Sequence, residues 1–89
     1  MTKTVMLKIF GRVQGVGFRF YTQKKALELN INGFVRNMTD GSVYVEAEGD
    51  EENLAVFVLW CGKGPDWARV DKVQKQYANG VGYKSFQIR

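Results

Sequence analysis

The chain has 89 residues with no histidine and one cysteine; 45% are hydrophobic, 25% are charged, and the net charge is +4. This length predicts one domain over residues 1–89 with a modest core, and the composition excludes a disordered chain. The missing histidines exclude imidazole bases and ligands, and the single Cys61 excludes an internal disulfide or a cysteine-cluster metal site, so we expect a reduced, cytoplasmic protein.

The first half of the chain predicts a strand, a loop and a helix. Residues 5–10 are apolar and rich in β-formers, which predicts a strand. Residues 11–17 contain three glycines and predict a loop. Residues 18–30 lack glycine and predict a helix that ends near Asn30.

A hairpin is predicted next, with its turn at Asp40-Gly41 between strands at residues 34–37 and 42–48. The second strand alternates between apolar and polar residues. Its alternation places Val43, Val45 and Ala47 toward the core and Tyr44, Glu46 and Glu48 toward solvent.

The remaining residues predict a helix and two strands. Acidic residues 50–52 suit a helix N-terminus, and an apolar stripe follows at helical spacing, formed by Leu54, Phe57, Val58 and Cys61. Residues 70–77 predict a strand with a bulge or late start near Asp71-Lys72. A turn at residues 79–82 leads to a last strand at residues 83–88.

The order β-α-β-β-α-β with a terminal strand predicts a fold class. Two helical crossovers around a central hairpin are typical of the α+β ferredoxin-like split βαβ sandwich. We expect an antiparallel five-stranded sheet with both helices on one face. Because this fold supports many activities, function has to be argued from a site.

The segment Gly11-Arg12-Val13-Gln14-Gly15-Val16-Gly17-Phe18-Arg19 predicts that site. Glycines allow successive backbone N–H groups to converge on an anion, and a helix N-terminus adds unsatisfied donors. Arg19 can add a bidentate, permanently charged group for phosphate. The segment has neither the Gly-Lys-Ser/Thr of a nucleoside-triphosphate loop nor the glycine spacing of a dinucleotide fold. On glycine spacing alone, a flexible connector with an incidental arginine stays an alternative.

These nine residues resemble the signature of the acylphosphatases. So do Gly33-Phe34-Val35-Arg36-Asn37 with Asp40-Gly41-Ser42-Val43 and, further on, Ala47-Glu48-Gly49, Gly64-Pro65 and Ala68-Arg69-Val70. The resemblance runs from about Val5 to Arg89. It implies a ferredoxin-like fold with a fifth edge strand, and hydrolysis of the carboxyl–phosphate bond of small acyl phosphates without metal or cofactor.

The resemblance also implies roles for individual residues. Arg19 would bind the phosphoryl group together with the backbone N–H groups of Gln14, Gly15, Val16, Gly17, Phe18 and Arg19. Asn37 would hold the attacking water. Inorganic phosphate and sulfate would compete for the same loop. Taken alone, an asparagine before a turn more often bonds local backbone, so that alternative stays open.

A second class of function is a catalytically silent module that binds an anion or nucleic acid. RNA-recognition modules share the fold but need exposed aromatic and basic residues on central strands, a pattern that residues 5–10 lack. No apolar run approaches the ~20 residues of a membrane span. We therefore expect a small acyl-phosphate substrate, no nucleic-acid or membrane partner, and a monomer.

Overall fold

The computed structural model describes residues 2–89 and contains five strands and two helices. The strands are β1 (Thr2–Arg12), β2 (Asn32–Asn37), β3 (Val43–Asp50), β4 (Arg69–Ala78) and β5 (Phe86–Ile88). Helix α1 (Phe18–Glu28) lies between β1 and β2, and α2 (Glu51–Lys63) lies between β3 and β4. The predicted order of elements is confirmed, although β5 is half as long as predicted.

The strands form one sheet in the order β4-β1-β3-β2-β5. β3 lies between β1 and β2, which α1 connects, and β1 lies between β3 and β4, which α2 connects. Each helix therefore crosses one intervening strand, which is the split βαβ arrangement. The predicted α+β ferredoxin-like fold is confirmed.

The sheet is mixed, so the prediction of a purely antiparallel sheet is wrong at one strand. β1 pairs antiparallel with β3 and β4, and β2 pairs antiparallel with β3, but β5 pairs parallel with β2. β4 and β5 occupy opposite edges of the sheet. Residues 79–85 cross from one edge to the other, so β5 runs opposite to β4 and therefore in the same direction as β2.

The predicted irregularity near Asp71 is a β-bulge. Phe10 pairs with Lys72 and Gly11 with Val70, which leaves Asp71 without an opposite residue on β1. Gly11 has φ 134°, and a Cβ there would lie 2.1 Å from the carbonyl oxygen of Arg69. The close approach of the two backbones at the bulge explains why glycine precedes the loop.

The core lies between the sheet and the two helices. Fifteen buried side chains form one cluster, composed of Val5, Leu7, Ile9, Val13, Phe18, Ala26, Ile31, Val35, Val43, Val45, Ala47, Leu54, Phe57, Cys61 and Phe86. The cluster contains most of the stripe predicted for α2, and burial raises the pKa of the Cys61 thiol. Complete burial of a side chain such as Phe57 stabilises the fold by about 1.5–3 kcal/mol.

Glu48 contradicts the alternation predicted for β3, because its side chain is buried with 6% exposure. Its carboxylate lies under the segment that leads to β5, and it accepts hydrogen bonds from the backbone N–H groups of Val81, Gly82 and Tyr83. The Thr4 hydroxyl donates a further bond at 2.8 Å. The polar face of the sheet is thus partly covered at this point, and Glu48 is an internal acceptor.

Among residues 2–89, no helix is long and apolar enough to cross a membrane.

Candidate active site

The glycine-rich segment leaves β1 and enters α1, and its two ends are anchored in the core. Val13 and Phe18 are 1% and 2% exposed, so the residues between them form a short, fixed connection. Gly15 and Gly17 have φ values of 75° and 76°, a left-handed backbone conformation that residues other than glycine rarely adopt. The glycines therefore shape a loop whose backbone can turn its N–H groups toward one point.

Helix α1 begins without a side-chain cap. Its N-cap is Gly17, and its first turn contains no acidic residue. By contrast, α2 is capped by Asp50, which accepts from the Glu52 N–H, and it carries Glu51 and Glu52 in its first turn. The N-terminus of α1 thus keeps both its backbone donors and its positive partial charge available for an anion.

Arg19 lies in the first turn of α1, and its side chain is half-buried. Its Nη1 donates to the carbonyl oxygen of Arg89 at 3.3 Å, just beyond β5. A guanidinium has five N–H donors, so this contact leaves most donors for a ligand. Arg19 therefore has hydrogen-bonding capacity available at the start of the helix.

Asn37 ends β2 and pairs with Val43. Directly paired residues on neighbouring strands lie on the same face of a sheet, so Asn37 is on the face that packs against the helices. Its side chain is exposed, and no group among residues 2–89 bonds to its amide. The alternative that this asparagine only bonds local backbone is therefore not what the structure contains.

The turn after Asn37 is held together by Asp40 instead. Its Oδ1 accepts from the Ser42 backbone N–H at 2.9 Å and from the Ser42 hydroxyl at 2.5 Å. Lys8 approaches the other carboxylate oxygen at 3.0 Å. The Ser42 bonds, assisted by Lys8, hold the pKa of the Asp40 carboxyl far below its usual range. The turn is therefore closed by the Asp40 side chain and not by the Asn37 side chain.

Gln14 connects the glycine-rich loop to this turn, a contact that sequence reasoning missed. Its Nε2 donates to the carbonyl oxygens of Met38 and Ser42 at 2.7 and 2.9 Å. The sequence suggested Gln14 only as a backbone donor to phosphate, and nothing local marks its side chain as a cross-link over 24 and 28 residues. The bonds hold the loop against the turn that follows Asn37.

The glycine-rich loop, α1, β2 and β5 line a cavity of about 220 Å³ that is open to solvent. It is lined by Val13, Gly15, Gly17, Phe18, Arg19, Phe20, Asn37 and Ile88. Five of the predicted site residues thus meet at one place, whereas the side chain of Val16 packs against the core. Val13, Phe20 and Ile88 were not predicted for the site. No acidic side chain is among these lining residues, and residues 2–89 contain no cluster of three or more metal-ligating side chains.

Comparison with known proteins identifies the family to which this arrangement belongs. The Acylphosphatase family model matches residues 5–88. An acylphosphatase from Caldanaerobacter subterraneus subsp. tengcongensis is 47% identical over 89 residues, which cover 99% of both chains. An acylphosphatase from Thermus thermophilus is 47% identical over 78 residues, which cover 88% of this chain and 89% of the relative.

A solved structure agrees with the sequence comparison. The crystal structure of an acylphosphatase from Bacillus subtilis superposes with a TM-score of 0.92 at 33% identity. The superposition covers 100% of this chain and 99% of that one.

Proposed function

We propose how this chain, which belongs to the acylphosphatase family and is thus an enzyme that hydrolyses acyl phosphates, binds its substrate. Arg19 and the loop backbone bind the phosphoryl group, and Asn37 positions the attacking water. Family membership excludes a catalytically silent module. The substrate is an acyl phosphate, and the remaining proposals concern how residues 14–19 and Asn37 act on it.

Three sources of positive charge or N–H donors support the phosphate site. They are the loop backbone shaped by Gly15 and Gly17, the uncapped N-terminus of α1 and the guanidinium of Arg19. Phosphoryl transfer depends on positioning and on stabilising charge at the phosphoryl oxygens, and all three sources serve that purpose. The same donors accept inorganic phosphate or sulfate, which we therefore expect to inhibit competitively.

The single observation that supports the water-binding role is that the Asn37 amide, to which no group among residues 2–89 bonds, lies at the cavity that Arg19 also lines. An amide offers both an acceptor and donors, so it can orient a water molecule through its hydrogen and its lone pair. Water oxygen bonds to phosphorus, and the bond between phosphorus and the acyl oxygen breaks. The electron pair leaves on the carboxylate, and a phosphoryl oxygen takes the water proton.

The chemistry of the leaving group explains why this chain needs no histidine. The departing carboxylate is stable as an anion because its charge is shared by two oxygens, so no strong general acid is required. Gln14 contributes as a positioning residue, because its bonds to Met38 and Ser42 hold the loop beside Asn37. These two bonds fix the position of the phosphate-binding loop relative to Asn37, and thus the distance between the phosphate and the water.

The proposal is tested by separating phosphate binding from turnover. Arg19→Ala should weaken inhibition by inorganic phosphate and slow turnover, and Arg19→Lys should restore little, because an ammonium cannot reproduce the planar fork. Asn37→Ala should lower kcat by about 10²–10³, as when one positioned donor is lost, and leave phosphate inhibition nearly unchanged.

Arg12→Ala is the matched control, because Arg12 is an exposed cation at the end of β1 that does not line the cavity. It removes the same charge as Arg19→Ala and should alter phosphate inhibition little. If Asn37→Ala loses phosphate affinity as severely as Arg19→Ala, the division into phosphate clamp and water holder is wrong.

Further proposals concern the state of the protein. The continuous core among residues 2–89 supports a single domain over residues 1–89, and the buried, unpaired Cys61 supports a reducing, cytoplasmic setting. We propose that the chain acts as a monomer without a nucleic-acid partner. Sedimentation at several protein concentrations and a polynucleotide-binding assay test these two proposals.

A further inference from the structure

Two exposed apolar side chains line the same cavity as Arg19 and Asn37. They are Phe20 and Ile88, which are 59% and 40% exposed. Single exposed apolar residues are normal on protein surfaces. Here, however, one side chain from α1 and one from β5 lie at a cavity that also contains an anion-binding group.

Phe20 has a ring contact, and Ile88 lies on an anchored strand, before any ligand arrives. Phe20 packs edge-to-face on Tyr21, with ring centroids 5.2 Å apart. β5 is fixed to α1 by the bond from Gln23 Nε2 to the Phe86 carbonyl at 3.0 Å. It is fixed to β2 by the bond from the Arg89 N–H to the Val35 carbonyl at 2.8 Å. An apolar surface that is already ordered costs a ligand little conformational entropy on binding.

The substrate has two chemically different ends. Its phosphoryl end is an anion suited to the loop and Arg19, whereas its acyl substituent projects away from phosphorus and needs a separate surface. Apart from Arg19, no residue lining the cavity carries a charge, so once Arg19 binds the phosphoryl group the lining offers a charged substituent no opposite charge. Phe20 and Arg19 both line this cavity, so it contains an apolar ring as well as the phosphate-binding group.

We propose that Phe20 and Ile88 form an acyl subsite that selects acyl phosphates with an apolar substituent, aromatic or branched aliphatic. This inference rests on the proposed function, since it takes the phosphoryl group to lie at Arg19 and the loop. Phe20 and Ile88 act on specificity between acyl phosphates, and the phosphate site supplies the affinity common to all of them.

The test compares kcat/KM for benzoyl phosphate and acetyl phosphate, which differ in replacing a methyl by a phenyl group. Phe20→Ser should lower the benzoyl-to-acetyl ratio of kcat/KM about tenfold, within the range for losing part of an apolar pocket. Ile88→Ser should lower the ratio in the same direction. Phe20→Leu should keep most of it, because the subsite needs an apolar surface and not an aromatic ring.

Leu27→Ser is the matched control. Leu27 is a similarly exposed apolar residue of α1, at 67%, and it does not line the cavity. It should leave both activities and their ratio unchanged, and circular dichroism of each variant checks that α1 remains folded. A ratio that stays constant in Phe20→Ser, or falls equally in Leu27→Ser, would overturn the acyl subsite.

Arg19→Ala separates this inference from the proposed function. It should lower kcat/KM for both substrates by a similar factor and preserve their ratio. If Arg19→Ala changes neither activity, the proposed phosphate site is refuted and the acyl subsite with it. If Arg19→Ala behaves as expected and only the Phe20→Ser ratio stays constant, the acyl subsite alone is refuted.

Discussion

Glu48→Gln is expected to destabilise the fold although it changes a single atom of the side chain. The Glu48 Oε1 accepts from the Gly82 and Tyr83 N–H groups at 3.0 and 2.9 Å, and Oε2 accepts from the Val81 N–H and the Thr4 hydroxyl. In a glutamine, an NH₂ group replaces one of these two oxygens, and it would face the N–H or O–H donors that this oxygen accepts from. At least one charge-assisted bond is then lost and one N–H is left without its acceptor.

The expected cost is about 2–4 kcal/mol, because a hydrogen bond to a charged group contributes about 1.5–3 kcal/mol and an unsatisfied buried donor adds its desolvation. Urea unfolding followed by tryptophan fluorescence measures it as a lower midpoint at an unchanged m-value. The melting temperature should fall by about 4–8 °C for each kcal/mol.

Glu46→Gln is the control, since Glu46 lies two residues earlier on the same strand and face. It accepts from the hydroxyls of Tyr44 and Tyr83. Burial, together with these bonds to Glu46, raises the pKa of both tyrosines to about 12. A hydroxyl can rotate and accept a bond from an amide, whereas a backbone N–H cannot, so this variant should cost less than about 1 kcal/mol. Equal costs for the two variants would refute the reasoning.

The same residue predicts a pH dependence of stability. Burial alone would raise the pKa of Glu48, but the bonds from Gly82, Thr4, Val81 and Tyr83 outweigh it and hold the pKa below the ordinary 4.5. The stabilisation is thus present above the unfolded-state pKa and is lost as the pH falls through the folded-state value. The stability gap between wild type and Glu48→Gln should narrow from pH 7 to about pH 3; a constant gap would mean that the charge of Glu48 contributes nothing.

Three further predictions concern the site. Turnover of acetyl phosphate should persist in excess EDTA, because Arg19 and backbone donors supply the charge that a metal would otherwise provide; activity that returned only with Mg²⁺ would contradict this. Between about pH 5 and 9 the rate should follow only the ionisation of the substrate, since the residues lining the cavity include no histidine, cysteine or acidic side chain to act as a general acid or base; an enzyme-borne pKa near 7 in the kcat profile would reveal a missed acid or base. Gln14→Met removes two bonds to the turn after Asn37, so kcat should fall more than phosphate affinity, with a loss of about 1–3 kcal/mol in stability by urea titration.

Much of the fold can be predicted from the sequence because the patterns that indicate its elements are local. The Asp40-Gly41 turn, the acidic start of α2 and the stripe at Leu54, Phe57 and Cys61 each depend on residues a few positions apart. The glycine-rich loop is local in the same way. Gly15 and Gly17 determine its backbone, and Arg19 follows on the first turn of the helix. The order of strands and helices therefore follows from short windows of sequence.

Only the tertiary structure decided what depends on contacts between distant segments. The parallel pairing of β5 follows from the route of residues 79–85 across the sheet. That route buries Glu48. The alternation of apolar and polar residues along β3 by itself predicts that Glu48 faces solvent. It also brings Ile88 beside Phe20 at the cavity. Alternation along a strand distinguishes its two faces, but it contains no information about which other segment will cover a face. For that reason the glycine-rich loop was predictable from the sequence, whereas the presence of Phe20 and Ile88 at its cavity was not.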